Sequence, residues 1–137
     1  MDSKIKKIIK KSKLKTIYSE FIIARLKKED TSKLINNLSK IKNFYTLSKE
    51  NKEVSLIISR EDWNKVKNNF ENYKTEKDFK IFYFDKDLSW NLIGFIAGIT
   101  KLLAENKISA GVVSTHNKDY FLIKKSKLKK ALKIIKK

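Results

Sequence analysis

The stretch GFIAGITKLLAENKISAG, residues 94–111, contains all three glycines of this 137-residue chain. Apolar residues recur at helical spacing through its first part, and a β-branched segment follows. Gly94 and Gly98 lie one helical turn apart, and a glycine inside a helix costs roughly 1 kcal/mol relative to alanine. We therefore expect the backbone of this helix to approach another element or a small ligand closely.

Helix and strand signals continue on both sides of this stretch. Periodicity and turn residues predict six strands, at 18–26, 44–47, 54–59, 79–84, 108–113 and 120–123, and four helices, at 31–42, after a Ser59 cap, at about 92–106 and at 127–136. Their order predicts an α+β fold of ferredoxin-like βαββαβ units, with antiparallel sheets and the helices on one face.

The second half of the chain lacks one strand of such a unit. Residues 5–17 are a reasonable donor of that strand, and the two halves would then interlock into one cooperative domain. We expect a basic N-terminal segment over 1–17, a first subdomain over 18–78 and a second over 79–137.

The net charge of +18 is concentrated at the two ends of the sequence. Residues 1–15 contain seven lysines and one aspartate, and residues 124–137 contain eight lysines and no acid. Such a field attracts nucleic acid or anionic lipid, and the spacing of Ile5, Ile8 and Ile9 permits a basic amphipathic helix. Only Arg25 and Arg60 are arginines, the side chains best suited to guanine and phosphate, so a solvated lysine coat is favoured over a nucleic-acid site.

Several classes of protein are disfavoured by what the sequence contains. It has no cysteine and a single histidine, His116, so we expect no metal site, no cofactor and no catalytic residue set. No apolar run reaches the roughly 18 residues that cross a bilayer. We expect a soluble cytoplasmic protein that is not an enzyme and has no membrane partner.

Three stretches resemble tandem ACT domains, as in aspartate kinase regulatory regions and the cytosolic arginine sensors of the TOR pathway. The second half is represented by LSWNLIGFIAGITKLLAENKISAGVVSTHNKDYFLIKKSKLKKALKII, residues 88–135, and the first half by SEFIIARL, residues 19–26, and FYTLSKENKEVSLIIS, residues 44–59. The resemblance extends from about Lys13 to the end of the chain. Its most specific motif is a Ser-Thr pair followed, after three variable positions, by Asp119.

The resemblance implies a non-catalytic regulatory or sensor protein with two ACT-like subdomains, which binds a free amino acid and forms a homodimer. In ACT domains the ligand lies at an interface between units, held by backbone at a helix start and at the end of the following strand. Carried over by position, the ligand-binding residues are Leu92, Ile93 and Gly94 at the helix start, Val113, Ser114 and Thr115 at the strand end, and Asp119 for a cationic group.

This chain departs from the family between Thr115 and Asp119. Related proteins often have an aromatic residue, an acid and a threonine there, whereas this sequence has His116, Asn117 and Lys118. Lys118 lies next to Asp119 and argues against a preference for a basic amino acid.

Two alternatives remain open. One is a basic nucleic-acid-binding module, ranked below the sensor, in which Tyr18, Phe21, Phe82 and Tyr83 would stack bases. The other is an ACT dimerisation unit without a ligand. The site residues also have purely structural interpretations: close packing at the glycines, strand termination at Ser114 and Thr115, and a turn at Asp119.

Overall fold

The structure is a computed structural model that describes residues 1–137. It contains five α-helices and seven β-strands, in the order α1 (Ser3–Lys11), β1 (Leu14–Thr16), β2 (Phe21–Lys27), α2 (Thr31–Asn36), β3 (Tyr45–Lys49), β4 (Glu53–Ser59), α3 (Arg60–Val66), β5 (Lys74–Phe84), α4 (Phe95–Glu105), β6 (Gly111–Ser114), β7 (Asp119–Lys124) and α5 (Leu128–Ile135). The strand pairings described below are all antiparallel, which confirms the predicted α+β class. None of the helices has the length and apolar character needed to cross a membrane.

The chain divides into two compact units, residues 19–78 and residues 1–18 with 79–137. In the unit of residues 19–78, β4 pairs with both β2 and β3. Alternate strand residues and the inner faces of α2 and α3 form its core, which consists of Ile22, Ala24, Leu26, Leu34, Val54, Leu56, Ile58, Trp63, Val66 and Phe70.

Helix α3 begins at the predicted cap. The Ser59 hydroxyl accepts a 3.1 Å hydrogen bond from the backbone N–H of Asp62. The Asp62 side chain is itself fully buried, and its Oδ2 accepts hydrogen bonds from the backbone N–H groups of Lys42, at 3.1 Å, and Asn43, at 2.9 Å. This carboxylate thus fastens the loop before β3 to the first turn of α3.

In the other unit, β5 pairs with β1 and β7, and β7 pairs with β6. The register places Phe82 opposite Phe121, whose rings stack with centroids 5.0 Å apart. The helices α1, α4 and α5 contribute to one core with these strands, which consists of Ile5, Ile9, Phe82, Phe84, Phe95, Ile99, Leu103, Ile108, Phe121, Ile123, Ala131 and Ile135.

The N-terminal segment differs from the proposed strand over 5–17. Residues Ser3–Lys11 form α1, because Asp2 caps the helix and Ile5 and Ile9, spaced four residues apart, both bury in the core. Only Leu14–Thr16 is a strand, and it pairs with the end of β5, with Leu14 opposite Phe84. The amphipathic-helix interpretation was therefore correct for residues 3–11.

Several other predicted boundaries are wrong. Strand β2 begins at Phe21, three residues later than predicted, and β5 begins at Lys74, five residues earlier than predicted. Helix α4 begins at Phe95 and not at Leu92, because Gly94 adopts a left-handed conformation with φ of 91°. Helix α2 ends at Asn36, and a single 3-10 turn follows over Leu38–Lys40. Strand β6 begins at Gly111, three residues later than predicted.

Candidate functional site

A recess of about 290 Å³ lies between the N-terminal end of α4 and the turn that joins β6 to β7. We call it the α4–β6 recess. All residues from Ser114 to Asp119 line one side of it, and the other side is formed by part of the segment 88–97. The two predicted segments, one at a helix start and one at a strand end, therefore face the same space.

Five of the seven predicted site residues line this recess, namely Leu92, Gly94, Ser114, Thr115 and Asp119. Ile93 is 89 % exposed and lies outside the lining, and Val113 is half-buried in β6 and also lies outside it. The ligand-binding role of all seven residues stays a prediction.

Gly94 has the backbone conformation that glycine favours, and it has open space beside it. A methyl group built on its Cα would meet no other atom within 4 Å. Gly94 is the N-cap of α4 and has no side chain to accept from the first-turn N–H groups, and no acidic residue lies in that turn. The positive end of the helix dipole is therefore uncompensated at the recess.

The other two glycines, Gly98 and Gly111, have structural roles in helix packing and strand pairing. A methyl group on Gly98 would lie 3.3 Å from Cε of Met1 and 3.7 Å from Cγ2 of Ile5, so this glycine allows the N-terminal segment to pack against α4. Gly111 pairs regularly with Leu122 and forms no bulge.

The polar side chains of the β6–β7 turn bond to one another. The Ser114 hydroxyl donates to Oδ1 of Asp119 at 2.7 Å, and the backbone N–H of Thr115 donates to the carbonyl of Lys118 at 2.9 Å. The Thr115 hydroxyl donates to the same carbonyl at 3.2 Å. Both hydroxyls thus stabilise the turn, which agrees with their structural interpretation and holds Asp119 in place at the recess.

Lys118 pairs with Asp87 and not with its neighbour Asp119. Its Nζ lies 2.9 Å from Oδ1 of Asp87, and this hydrogen bond raises the pKa of the lysine above its ordinary value. The backbone N–H of Leu88 also donates to the carbonyl of Asn117 at 2.8 Å. These two contacts fix the segment before α4 against the turn and so define the walls of the recess.

The second half of the chain matches a known domain family. The profile of the ACT domain matches residues 74–137, the part that carries the recess. Residues 74–137 are therefore an ACT domain. No curated protein matches the sequence.

Solved structures share the fold of this chain over most of its length. A structure from Agrobacterium tumefaciens has 20% sequence identity and a TM-score of 0.73, with 90% of this chain and 86% of that chain covered. A Vibrio cholerae protein of unknown function, described as a possible transport protein, has 19% identity, a TM-score of 0.70 and coverages of 96% and 94%. The regulatory subunit of aspartate kinase from Thermus thermophilus has 8% identity, a TM-score of 0.67 and coverages of 89% and 93%. At these identities the likeness shows a shared fold.

The recess is also lined by residues that the sequence did not single out, among them the aromatic residues Trp90 and Phe95. Trp90 lines the recess although its side chain is 89 % exposed. Phe95 lines it from the first turn of α4 and packs edge-on against Phe84, with ring centroids 5.3 Å apart. The signal for Trp90 was available, since a tryptophan in the polar connection DKDLSW has no core position to fill.

The structure has no group of three or more His, Cys, Asp or Glu side chains placed to hold a metal ion. Of the four aromatic residues considered for base stacking, Phe21 and Phe82 are fully buried. They cannot stack on a nucleic acid, which removes half of that set.

Proposed function

We propose that this ACT domain protein is a non-catalytic regulatory or sensor protein that binds a free amino acid in the α4–β6 recess. The observation that carries the proposal is the meeting of an uncapped helix N-terminus with a fixed carboxylate across one small space. An amino acid has both complementary groups, a carboxylate for the helix end and an ammonium for Asp119.

The hydrogen bonds at Asp119 leave it able to bind an ammonium. Its Oδ1 accepts from Ser114, and its Oδ2 makes no hydrogen bond within the protein. Asp119 is the only acidic side chain in the lining, so the side chain of a basic amino acid would find no second counter-charge. We therefore favour a neutral amino acid as the ligand.

We also propose that residues 18–78 and 79–137 are the first and second ACT-like subdomains, with 1–17 completing the second. Each compact unit has its own apolar core, which supports this division.

A homodimer is the proposed assembly. Trp90 and Ile93 are both 89 % exposed on the segment before α4, and large exposed apolar side chains are common at contacts between subunits. A dimer that binds no amino acid would favour the alternative of an ACT dimerisation unit without a ligand.

The proposal is tested by titrating the protein with each of the twenty common amino acids, by calorimetry and by thermal unfolding. A ligand at 100 times its dissociation constant should stabilise the folded state by about 2.7 kcal/mol, which is a readily measured shift in Tm. Absence of both heat and stabilisation with every amino acid would contradict the sensor function. Salt-resistant, sequence-dependent binding of RNA or DNA would favour the nucleic-acid alternative instead.

A further inference from the structure

A second cavity lies on the helical side of the unit formed by residues 1–18 and 79–137. It has a volume of about 660 Å³ and is surrounded by α1, α4 and the C-terminal end of α5. We call it the three-helix cavity. No residue lines both this cavity and the α4–β6 recess, so the two sites can be tested separately.

The floor of the three-helix cavity is apolar. Ile9 and Ile135, both members of the buried core, form its base. Leu102 and Ile134 line it as half-buried side chains that pack against the same core. An apolar group placed here would remove exposed hydrocarbon from water.

The rim of the cavity is cationic. Lys6 and Lys10 of α1, Lys101 of α4 and the terminal Lys137 line it, and their ammonium groups make no hydrogen bond or ion pair within the protein. Glu105 is the only acidic side chain in the lining. Positive charges gathered around low-dielectric walls focus an attractive field on an anion in the cavity.

We propose that the three-helix cavity binds a free anionic amphiphile, with an acidic head group among the lysines and an unbranched apolar chain against the floor. The charge of the rim selects the sign of the head group, and the floor selects a hydrocarbon body. A nucleic acid would use the lysines but would have no use for the apolar floor, and a membrane surface cannot enter a concave space between three helices.

The ligand class is tested by calorimetry with hexanoate, octanoate and decanoate, each kept below its micelle concentration. Affinity should rise about fourfold for each methylene that is buried. Inorganic phosphate, which lacks a chain, and decyltrimethylammonium, which has the opposite charge, should both bind at least about tenfold more weakly than decanoate. Equal binding of the cationic amphiphile, or no dependence on chain length, would overturn the proposal, as would binding to anionic phosphatidylglycerol vesicles without binding to decanoate.

The location is tested with charge-reversal variants of one helix. Lys10→Glu should lower decanoate affinity by at least about fivefold, whereas Lys11→Glu, a neighbouring exposed lysine of α1 outside the lining, should change it by less than about twofold. An equal loss in both variants would indicate general attraction to the lysine coat and overturn the proposal. Lys10→Gln replaces Lys10→Glu if the reversal lowers the Tm.

Amide chemical shifts of the unaltered protein give an independent readout. Decanoate should shift residues around Leu102 and Ile134 and leave the segment 114–119 unchanged. Shifts confined to 114–119 would assign decanoate to the α4–β6 recess and overturn the proposal. Because amino acids are expected at the recess and decanoate at the cavity, either site can fail without the other.

Discussion

The hydroxyl of Ser114 donates a 2.7 Å hydrogen bond to the carboxylate of Asp119, which lies directly opposite it in the β6–β7 ladder. This bond fixes the carboxylate in the lining of the α4–β6 recess. The rotamer of Asp119 is thus set before any ligand arrives, which lowers the entropic cost of binding.

The variant Asp119→Asn should weaken amino-acid binding without lowering the stability of the fold. The amide oxygen of asparagine still accepts from Ser114, so the Tm should change little, but the negative charge for a ligand ammonium is lost. We expect amino-acid affinity to fall by at least tenfold, since a charge-assisted hydrogen bond contributes about 1.5–3 kcal/mol. Calorimetry measures the affinity.

Asp78→Asn is the matched control for that variant. Asp78 lies on β5, outside the recess lining, and its left-handed backbone, with φ of 67°, suits asparagine equally well. Similar losses of affinity in both variants would mean that net charge, and not the position of Asp119, governs binding.

Alanine at Gly94 and at Gly98 should change stability in opposite directions. Gly94 has φ of 91°, so Gly94→Ala should lower the free energy of unfolding by about 1 kcal/mol although the space beside it is open. Gly98 lies inside α4, where alanine is favoured by up to about 1 kcal/mol. Its new methyl would lie 3.3 Å and 3.4 Å from Cε and Cγ of Met1, a flexible side chain that can shift, and at an ordinary contact distance of 3.7 Å from Cγ2 of Ile5. Urea denaturation measures both, and a stabilised Gly94→Ala variant would contradict this assignment.

These contrasts explain which features the sequence could predict. The Ser59 cap was predictable because its partner, the Asp62 N–H, lies three residues away on the same helix. The start of α4 was not predictable, because the hydrophobic periodicity does not indicate that Gly94 has a left-handed backbone conformation. The secondary structure of residues 3–11 was ambiguous from the sequence, since isoleucines suit a strand as well as a helix. The helix forms because it buries both Ile5 and Ile9 in the core.

The recess likewise has parts that the sequence could predict and parts that it could not. The family resemblance predicted that Gly94, Ser114 and Asp119 lie near one another, because the fold fixes where this helix starts and where this strand ends. All three residues line the recess. The connection that holds Trp90 could not be placed from sequence. Its path depends on contacts between residues distant along the chain, the Lys118–Asp87 ion pair and the Leu88–Asn117 backbone bond.

Asp62 should make stability depend on pH in the acid range. Burial of its carboxyl alone would raise the pKa. Hydrogen bonds from the backbone of Asn43 and Lys42 and from the side chains of Ser59 and Lys65 together outweigh burial and hold the pKa below its ordinary value of 3.8. A pKa lowered by folding contributes stability that is present above the unfolded pKa and is lost as the pH falls through the folded pKa.

Asp62→Asn therefore should destabilise the protein most at neutral pH. Its amide oxygen can still accept from the two backbone N–H donors, but the negative charge that strengthens these bonds and attracts Lys65 is lost. We expect a loss of about 1–3 kcal/mol at neutral pH, with a smaller difference from the unaltered protein at about pH 3. Chemical denaturation at both pH values measures this, and a difference that does not depend on pH would exclude ionisation of Asp62 as the cause.

Lys136 should stabilise the end of α1 from the opposite end of the chain. Its Nζ donates to the carbonyl of Ile9 at 2.7 Å and to that of Ser12 at 2.6 Å, the carbonyls where α1 ends. A cation at this position satisfies helix-end acceptors and interacts favourably with the helix dipole. Lys136→Met keeps most of the hydrocarbon stem and removes the charge, so it should lower the free energy of unfolding by about 1 kcal/mol.

Amide hydrogen exchange measures the effect on the helix end. Exchange in α1 should accelerate in Lys136→Met. The ammonium of Lys137 contacts no carbonyl, so Lys137→Met should leave the exchange of α1 unchanged. Equal exchange in the two variants would show that the bond from Lys136 does not hold the helix end.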